Sequence, residues 1–290
     1  MTRLVALADL HLNHRKSRES AEAQARQVVR RGSDVLFMLG DAAVWDGDTL
    51  DECLGLFDDF RGAKLFVPGN HDLWTSEPSN DALNLLTDAL PRRVAATGWH
   101  WLQGSPFRVG DLAIVGNLGW YDLGFSVDSL NIPKPFYEAG VSPGYVLTRG
   151  SPKQMIDDAR RCEFPGNKLF ARWNDTRYVR GARADIFDQC MADLDADLLA
   201  VADAKTVVAA THTVPLAGLL PPRRMLQLDF VRAYLGSPKL GGRMLAAPNV
   251  RHILCGHSHF PAECDIGPVN AINIGSGYRK KLSVELSLPS

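Results

Sequence analysis

Charge imbalance is missing from this sequence: 32 Lys and Arg stand against 33 Asp and Glu over 290 residues, a net charge of −1. No block of like charges occurs, so the chain lacks the field of a nucleic-acid coat or a polybasic membrane anchor. Nucleic acid as a partner is thereby unsupported, though not excluded. Cysteine is scarce, and Cys53, Cys162, Cys190, Cys255 and Cys264 form neither a CxxC pair nor a disulfide-like framework. That usage predicts a reducing, cytoplasmic setting. Cys255, in the apolar run Ile253-Leu254-Cys255, reads as a small buried hydrophobe. No uncharged apolar stretch approaches the roughly 18 residues of a membrane span. The opening Met1-Thr2-Arg3-Leu4-Val5-Ala6 is too short for a signal peptide and Asp9 soon interrupts it, so neither export nor a membrane is expected. Repeats and low-complexity segments are lacking too.

What is present is apolar material, 46% of residues, enough to bury a large core in a single domain spanning 1–290. Runs of strand length fall at 4–8, 35–39, 64–67, 112–115, 206–210, 250–255 and 269–274, each followed by turn signals. Between the first three lie segments of helical spacing, 19–31 and 50–60, so the chain opens βαβαβ. Parallel strands joined by right-handed crossovers bring their carboxyl ends to one edge, where α/β sheets hold ligands. After Trp99 the texture changes to short strands around Trp101-Leu102, 107–109 and 112–115, which predicts antiparallel pairing and the start of a second sheet. Residues 119–180 read as an inserted cap or long loop region with one convincing helix, near 152–161. An amphipathic helix is expected over 182–204, and a partly looped excursion over 215–249.

Five motifs stand where these strands end: Asp9-Leu10-His11, Gly40-Asp41, Gly69-Asn70-His71-Asp72, Thr211-His212 and Gly256-His257-Ser258-His259. Their side chains are the nitrogen and oxygen donors that suit Mn, Fe or Zn, and the glycines let the backbone turn sharply. In an extended segment positions i and i+2 face one side, so Asp9 with His11, or His257 with His259, can present two donors together. Asp41 ends a strand apolar throughout, where a lone carboxylate is costly and a bridge between two cations resolves the cost. In the third motif Asn70 offers a neutral oxygen and His71 faces substrate, while Asp72 orients that ring or holds the turn. Taken singly, Asp9 is more readily a helix cap and His212 more readily structural, while Asp41 is as readily a cap or turn residue as a bridge. The set together points to a two-metal site.

In this order and placement the motifs resemble the signature DxH, GD, GNH(D/E), H and GHxH of the calcineurin-like metallophosphoesterase superfamily, matched from Asp9 to His259. The resemblance implies an α/β fold, a four-layer αββα sandwich of two mixed sheets flanked by helices. It implies two metal ions, Mn²⁺ and/or Fe with Zn²⁺ possible. Asp9, His11 and His259 then hold the first, Asp41 bridges, and Asn70, His212 and His257 hold the second. His71 becomes the catalytic histidine, oriented by Asp72. Water activated between such cations attacks phosphorus in line. After Gly40-Asp41 the chain reads Ala42-Ala43-Val44-Trp45-Asp46-Gly47 rather than GDxVDRG, which disfavours a protein serine/threonine phosphatase.

The expected substrate is a phosphodiester or a small or nucleotide-like phosphoester. A nuclease of the same superfamily, which would need a continuous basic groove, and a non-catalytic metal-bearing scaffold are the alternatives. Trp120-Tyr121-Asp122 and Arg172-Trp173-Asn174-Asp175 lie in the segment expected to set specificity, as base-stacking and phosphate contacts or, more simply, as packing of the cap.

Overall fold

A computed structural model of the chain describes residues 1–181 and 183–289. β1 (Thr2–Leu7), β2 (Val35–Leu39), β3 (Ala63–Val67) and β4 (His100–Trp101) lie side by side and parallel. A second sheet contains β5 (Phe107–Val109), β6 (Leu112–Asn117), β7 (Thr206–Thr211), β8 (Val250–Cys255), β9 (Ala262–Ile266) and β10 (Val269–Asn273) in the order β5-β6-β7-β8-β10-β9. Its four inner strands are parallel and its two edges antiparallel. β11 (Ser283–Leu288) returns to the first sheet, antiparallel to β1.

The strand runs are apolar throughout because both faces are buried. Leu4, Ala6 and Ala8 point into a layer shared with Phe37, Leu65, Ile114 and Val208 between the sheets. Val5 and Leu7 alternate outward, onto Ala21, Ala25 and Val28 of the helix Arg18–Arg31. On the far side Val115, Val207 and Ile253 meet Leu194 of the helix Arg183–Ala200 and Met244 of the helix Pro238–Ala246. Helices, sheet, sheet and helices make the four layers expected, an α/β fold of two mixed sheets.

Several expectations are corrected. The second sheet begins at Phe107, not after Trp99: β4 joins the first sheet, parallel to β3, because a helical run over 82–96 returns the chain across the sheet. Residues 119–180 carry four helices, Lys134–Ala139, Pro143–Arg149, Lys153–Arg161 and Asp175–Tyr178. Most are too short to show a helical period. Local chemistry marks them instead, as where Ser142 accepts the Tyr145 N–H and Pro143 begins a helix. The excursion 215–249 holds two more helices, Leu226–Val231 and Pro238–Ala246. β9 and β11 escape an apolar-run search because each is an edge strand with exposed polar positions. The long helix begins at Arg183 and ends at Ala200; Ala182 lies outside the described residues.

Candidate metal centre

The carboxyl ends of β1, β2 and β3 meet those of β7 and β8 along one edge of the sandwich, and the five motifs leave the strands there. Their loops extend the ladders beyond the sheets: Asp9 N–H donates to the Gly40 carbonyl at 3.0 Å and His11 N–H to that of Asp41 at 2.8 Å. The second sheet is tied in by the His257 N–H, which reaches both Asp9 carboxylate oxygens at 3.1 and 3.2 Å. Five motif residues hold left-handed backbone: Asp9, His11, Asp41, His257 and His259, with φ of 58°, 45°, 53°, 67° and 54°. At about 1 kcal/mol or more each, such strain survives only where surrounding structure enforces it, and it clusters at functional sites. Gly69 is required by proximity, since a Cβ there would stand 2.2 Å from Asp41 Oδ1.

The hydrogen bonds dictate which atoms face the centre. His212 Nδ1 lies 2.8 Å from the Leu39 carbonyl, an acceptor, so in the neutral ring the proton sits on Nδ1 and Nε2 carries the lone pair. His257 Nε2 faces the Tyr234 carbonyl at 3.2 Å, which leaves Nδ1 bare. Asn70 donates its amide N–H to Asp175 at 2.8 Å, so Oδ1 is its inward atom. Around His212 Nε2 therefore stand Asn70 Oδ1 at 3.1 Å, His257 Nδ1 at 3.2 Å and Asp41 Oδ1 at 3.3 Å. With His212 neutral, these are four lone-pair donors facing one another. That arrangement repels itself unless a proton on His212 or a metal ion lies between them. Donors bound about 2.0–2.2 Å from one ion lie roughly 3.0–3.5 Å apart, as these do.

A second group lies alongside. His11 Nε2 is 3.1 Å from His259 Nε2 and 3.5 Å from Asp41 Oδ2, and His259 Nε2 is 3.6 Å from Asp9 Oδ1. Asp41 thus turns one oxygen to each group, the arrangement a bridge requires. The Asp and His donors of both groups satisfy the proximity a metal demands, so the residues present fit two ions.

His71 stands at the edge of this centre with Nε2 4.0 Å from Asp41 Oδ2. Its ring stacks on Trp74, centroids 3.6 Å apart and planes 21° from parallel. Asp72 does not orient it, contrary to what the resemblance implied. Both Asp72 oxygens accept backbone N–H groups instead, from Gly69 at 2.7 Å, Asp41 at 2.9 Å and Ala43 at 3.1 Å. Asp72 holds the second and third loops together, and Trp74 fixes the His71 plane.

The electrostatics agree with a cationic occupant. Burial alone would raise Asp41, yet the surrounding His212, His71 and His11 hold it well below the usual carboxylate range. Burial pushes His212 down, but Asp41 outweighs it and lifts the ring to about 9. The field that stabilises a proton there would stabilise a metal ion. Asp72 is pushed up to about 7, by burial first and by the nearby Asp41 second. Behind Asp9, the Lys281 ammonium donates to the Asp9 carbonyl at 2.6 Å, and burial lowers its pKa to about 8.

All nine residues singled out in the sequence come together here, and a cleft of about 300 Å³ opens beside them. Trp74, Trp173 and Tyr278 wall it, and Arg172 is its only cation among the described residues. Arg177 instead lies over Tyr178, Arg183 donates to the Glu138 carbonyl, and Arg223 pairs with Asp229. Trp120 and Tyr121 are buried and stacked at 4.6 Å, so they pack. Three participants carried no signal in the sequence, Trp74, Tyr278 and Lys281, and a fourth, Asp175, stood in the run Arg172-Trp173-Asn174-Asp175 with no role of its own. Trp74 adjoins the third motif, whereas Tyr278 and Lys281 arrive from a loop after β10 that has no motif.

Comparison with curated proteins gives no match. Among solved structures, the phosphopantetheinyl hydrolase PptH from Mycobacterium tuberculosis is similar over 95% of this chain and 89% of its own, at 21% identity and a TM-score of 0.69. A dimetal phosphatase from Danio rerio is similar over 94% of this chain and 86% of its own, at 14% identity and a TM-score of 0.52. Both likenesses show the fold. The model of the calcineurin-like phosphoesterase family matches residues 2–261, a span that takes in every motif described above, so the chain belongs to that family and is a metal-dependent phosphoester hydrolase.

Proposed function

We propose that this enzyme hydrolyses a small phosphoester whose substituent lies along an aromatic wall, with Asp9, His11 and His259 holding one ion, Asn70, His212 and His257 the other, and Asp41 both. The observation that carries the reading is the convergence of nitrogen and oxygen ligand atoms beside a cleft of about 300 Å³. A space of that size suits a phosphate with a small organic group, at the lower end of ligand pockets. Two ions, when bound, supply Lewis-acid polarisation of the ester and a water acidified to near-neutral pKa. The chain's own residues do the rest. Asp41 fixes the spacing of the two groups, and Asp9 is held by the His257 N–H. His71, half-buried and locked by Trp74, directs an N–H at the phosphoryl or leaving oxygen. Arg172 lines the cleft, its guanidinium donating to the Tyr145 hydroxyl at 3.4 Å, and such a group can pair with a phosphate oxygen.

A nuclease is disfavoured by the cleft, which among the described residues offers Arg172 as its one Lys or Arg where a backbone groove needs a line of cations. Retention of every donor and of His71 speaks against a scaffold. The free state of all five cysteines, four of them buried, supports a reducing, cytoplasmic setting. Among the described residues no helix is long and apolar enough to cross a membrane. The test is turnover of p-nitrophenyl phosphate and bis-p-nitrophenyl phosphate by metal-stripped protein after return of Mn²⁺, followed by small nucleotide esters and phosphopantetheinyl esters. Mn²⁺-dependent cleavage of either generic ester supports the proposal. Two metals bound with every ester intact would refute it in favour of a binding protein.

A further inference from the structure

Asp175 is fully buried, comes from the segment between the third and fourth motifs, and belongs to none of them. No cation pairs with it among the described residues. Instead Oδ1 accepts from Asn70 Nδ2 at 2.8 Å and Trp74 Nε1 at 2.6 Å, and Oδ2 accepts from Trp173 Nε1 at 2.9 Å. A buried carboxylate without a counter-charge is costly, and holding a helix of four residues does not need one. Its partners suggest the reason. Asn70 faces the centre, Trp74 is stacked on His71, and Trp173 walls the cleft.

An asparagine amide is nearly symmetric in shape, so either its oxygen or its NH2 group can face inward. Turned over, Asn70 would aim Nδ2 at the Nε2 of neutral His212, the form that binds metal, and form a hydrogen bond that satisfies both groups while excluding a cation. A carboxylate behind the amide forbids this, because two acceptors would then face each other across 2.8 Å. The charge-assisted bond to Nδ2 holds the amide with its oxygen toward the ligand position. We propose that Asp175 is a positioning residue that locks the Asn70 amide oxygen toward the second metal and, through the same carboxylate, sets Trp74 and Trp173 in register with it. The inserted segment thereby completes the metal centre as well as covering it. This inference rests on the assignment of Asn70 to the second site.

The experiment is a stepwise Mn²⁺ titration of metal-stripped full-length protein, followed by calorimetry and by the electron paramagnetic resonance signal of the spin-coupled pair. Wild type, Asp175→Asn and Trp173→Phe are compared. Asp175→Asn should leave the first binding step unchanged and weaken the second by about 10–100-fold, the usual cost of losing a group that orients a ligand. The coupled signal should fall with it. Trp173→Phe removes one donor from the same carboxylate without touching Asn70, so both steps should persist. Two wild-type affinities in Asp175→Asn, or equal weakening in Trp173→Phe, would overturn the proposal and leave Asp175 as a support for the inserted segment. Fewer than two Mn²⁺ in wild type would instead defeat the two-metal reading, and this inference with it. Should Asp175→Asn fail to fold, the Asn70 side-chain amide protons decide the matter in wild type loaded with Mg²⁺. Slow exchange of one proton is expected, and fast exchange of both refutes the lock.

Discussion

Replacing Asp72 by Ala separates a structural carboxylate from a catalytic one. In the fold its two oxygens satisfy three buried donors, the N–H groups of Gly69, Asp41 and Ala43. Removing them orphans all three, at about 1–3 kcal/mol each before relaxation. Opposing this, the change relieves a buried charge beside Asp41, the cause of the rise of Asp72 to about 7. The net expectation is a loss on the order of 3–5 kcal/mol, large among single substitutions. At roughly 2–4 °C per kcal/mol this lowers the melting temperature by about 6–20 °C. Thermal unfolding should be followed in EDTA, so that metal bound to the native state adds nothing to the difference. Asp72→Asn keeps one acceptor and should fall between wild type and Asp72→Ala. An unchanged melting temperature with activity lost would refute the reasoning, because Asp72 would then act on the chemistry and not on the loops.

Asp41→Asn should weaken binding of both metals by more than the roughly 10–100-fold typical of losing a ligand's support, with Mn²⁺-dependent hydrolysis abolished and the circular dichroism spectrum intact; metal counting and turnover check this together. His71→Ala should lower kcat by on the order of 10²–10⁴ while two metals per chain remain, and loss of metal would make His71 a ligand. Asp197 accepts the Gly104 N–H, and burial, with a smaller contribution from Asp193, lifts its pKa to about 6. A carboxyl raised in the folded state disfavours its own ionisation there, so stability falls as pH rises from about 4 to about 6 and stays lower above. Asp197→Asn keeps the acceptor without the charge. It should match wild type at pH 4 and exceed it at pH 7 by about 1 kcal/mol after solvent screening, measured by urea unfolding at both pH values.

Strand-end donors were legible in the sequence because each motif follows an apolar run, and a run buried on both faces has nowhere polar to go until the strand ends. That logic placed Asp9, Asp41 and Asn70 on one sheet and His212 and His257 on another, with the family signature joining them. For Asp72 the sequence left two roles open, orienting the His71 ring or holding the turn, and for Asp175 it gave no link to the centre. A carboxylate's function depends on which donors reach it, and two of the three that reach Asp175 come from residues 70 and 74, about a hundred positions away. Edge strands and the short helices of 119–180 were obscured because neither buries enough of itself to impose a period.

What the sequence by itself determined is the identity and order of the nitrogen and oxygen donors at the strand ends, because coordination chemistry admits few residue types and an apolar run buried on both faces puts its first polar side chains where the strand stops. Only the tertiary structure decided their tautomers, the direction of the Asn70 amide, the stacking of His71 on Trp74 and the arrival of Asp175, Tyr278 and Lys281. Hydrogen-bond direction and ring packing are set by neighbours in space, and here those neighbours come from both sheets and from the segment inserted between them.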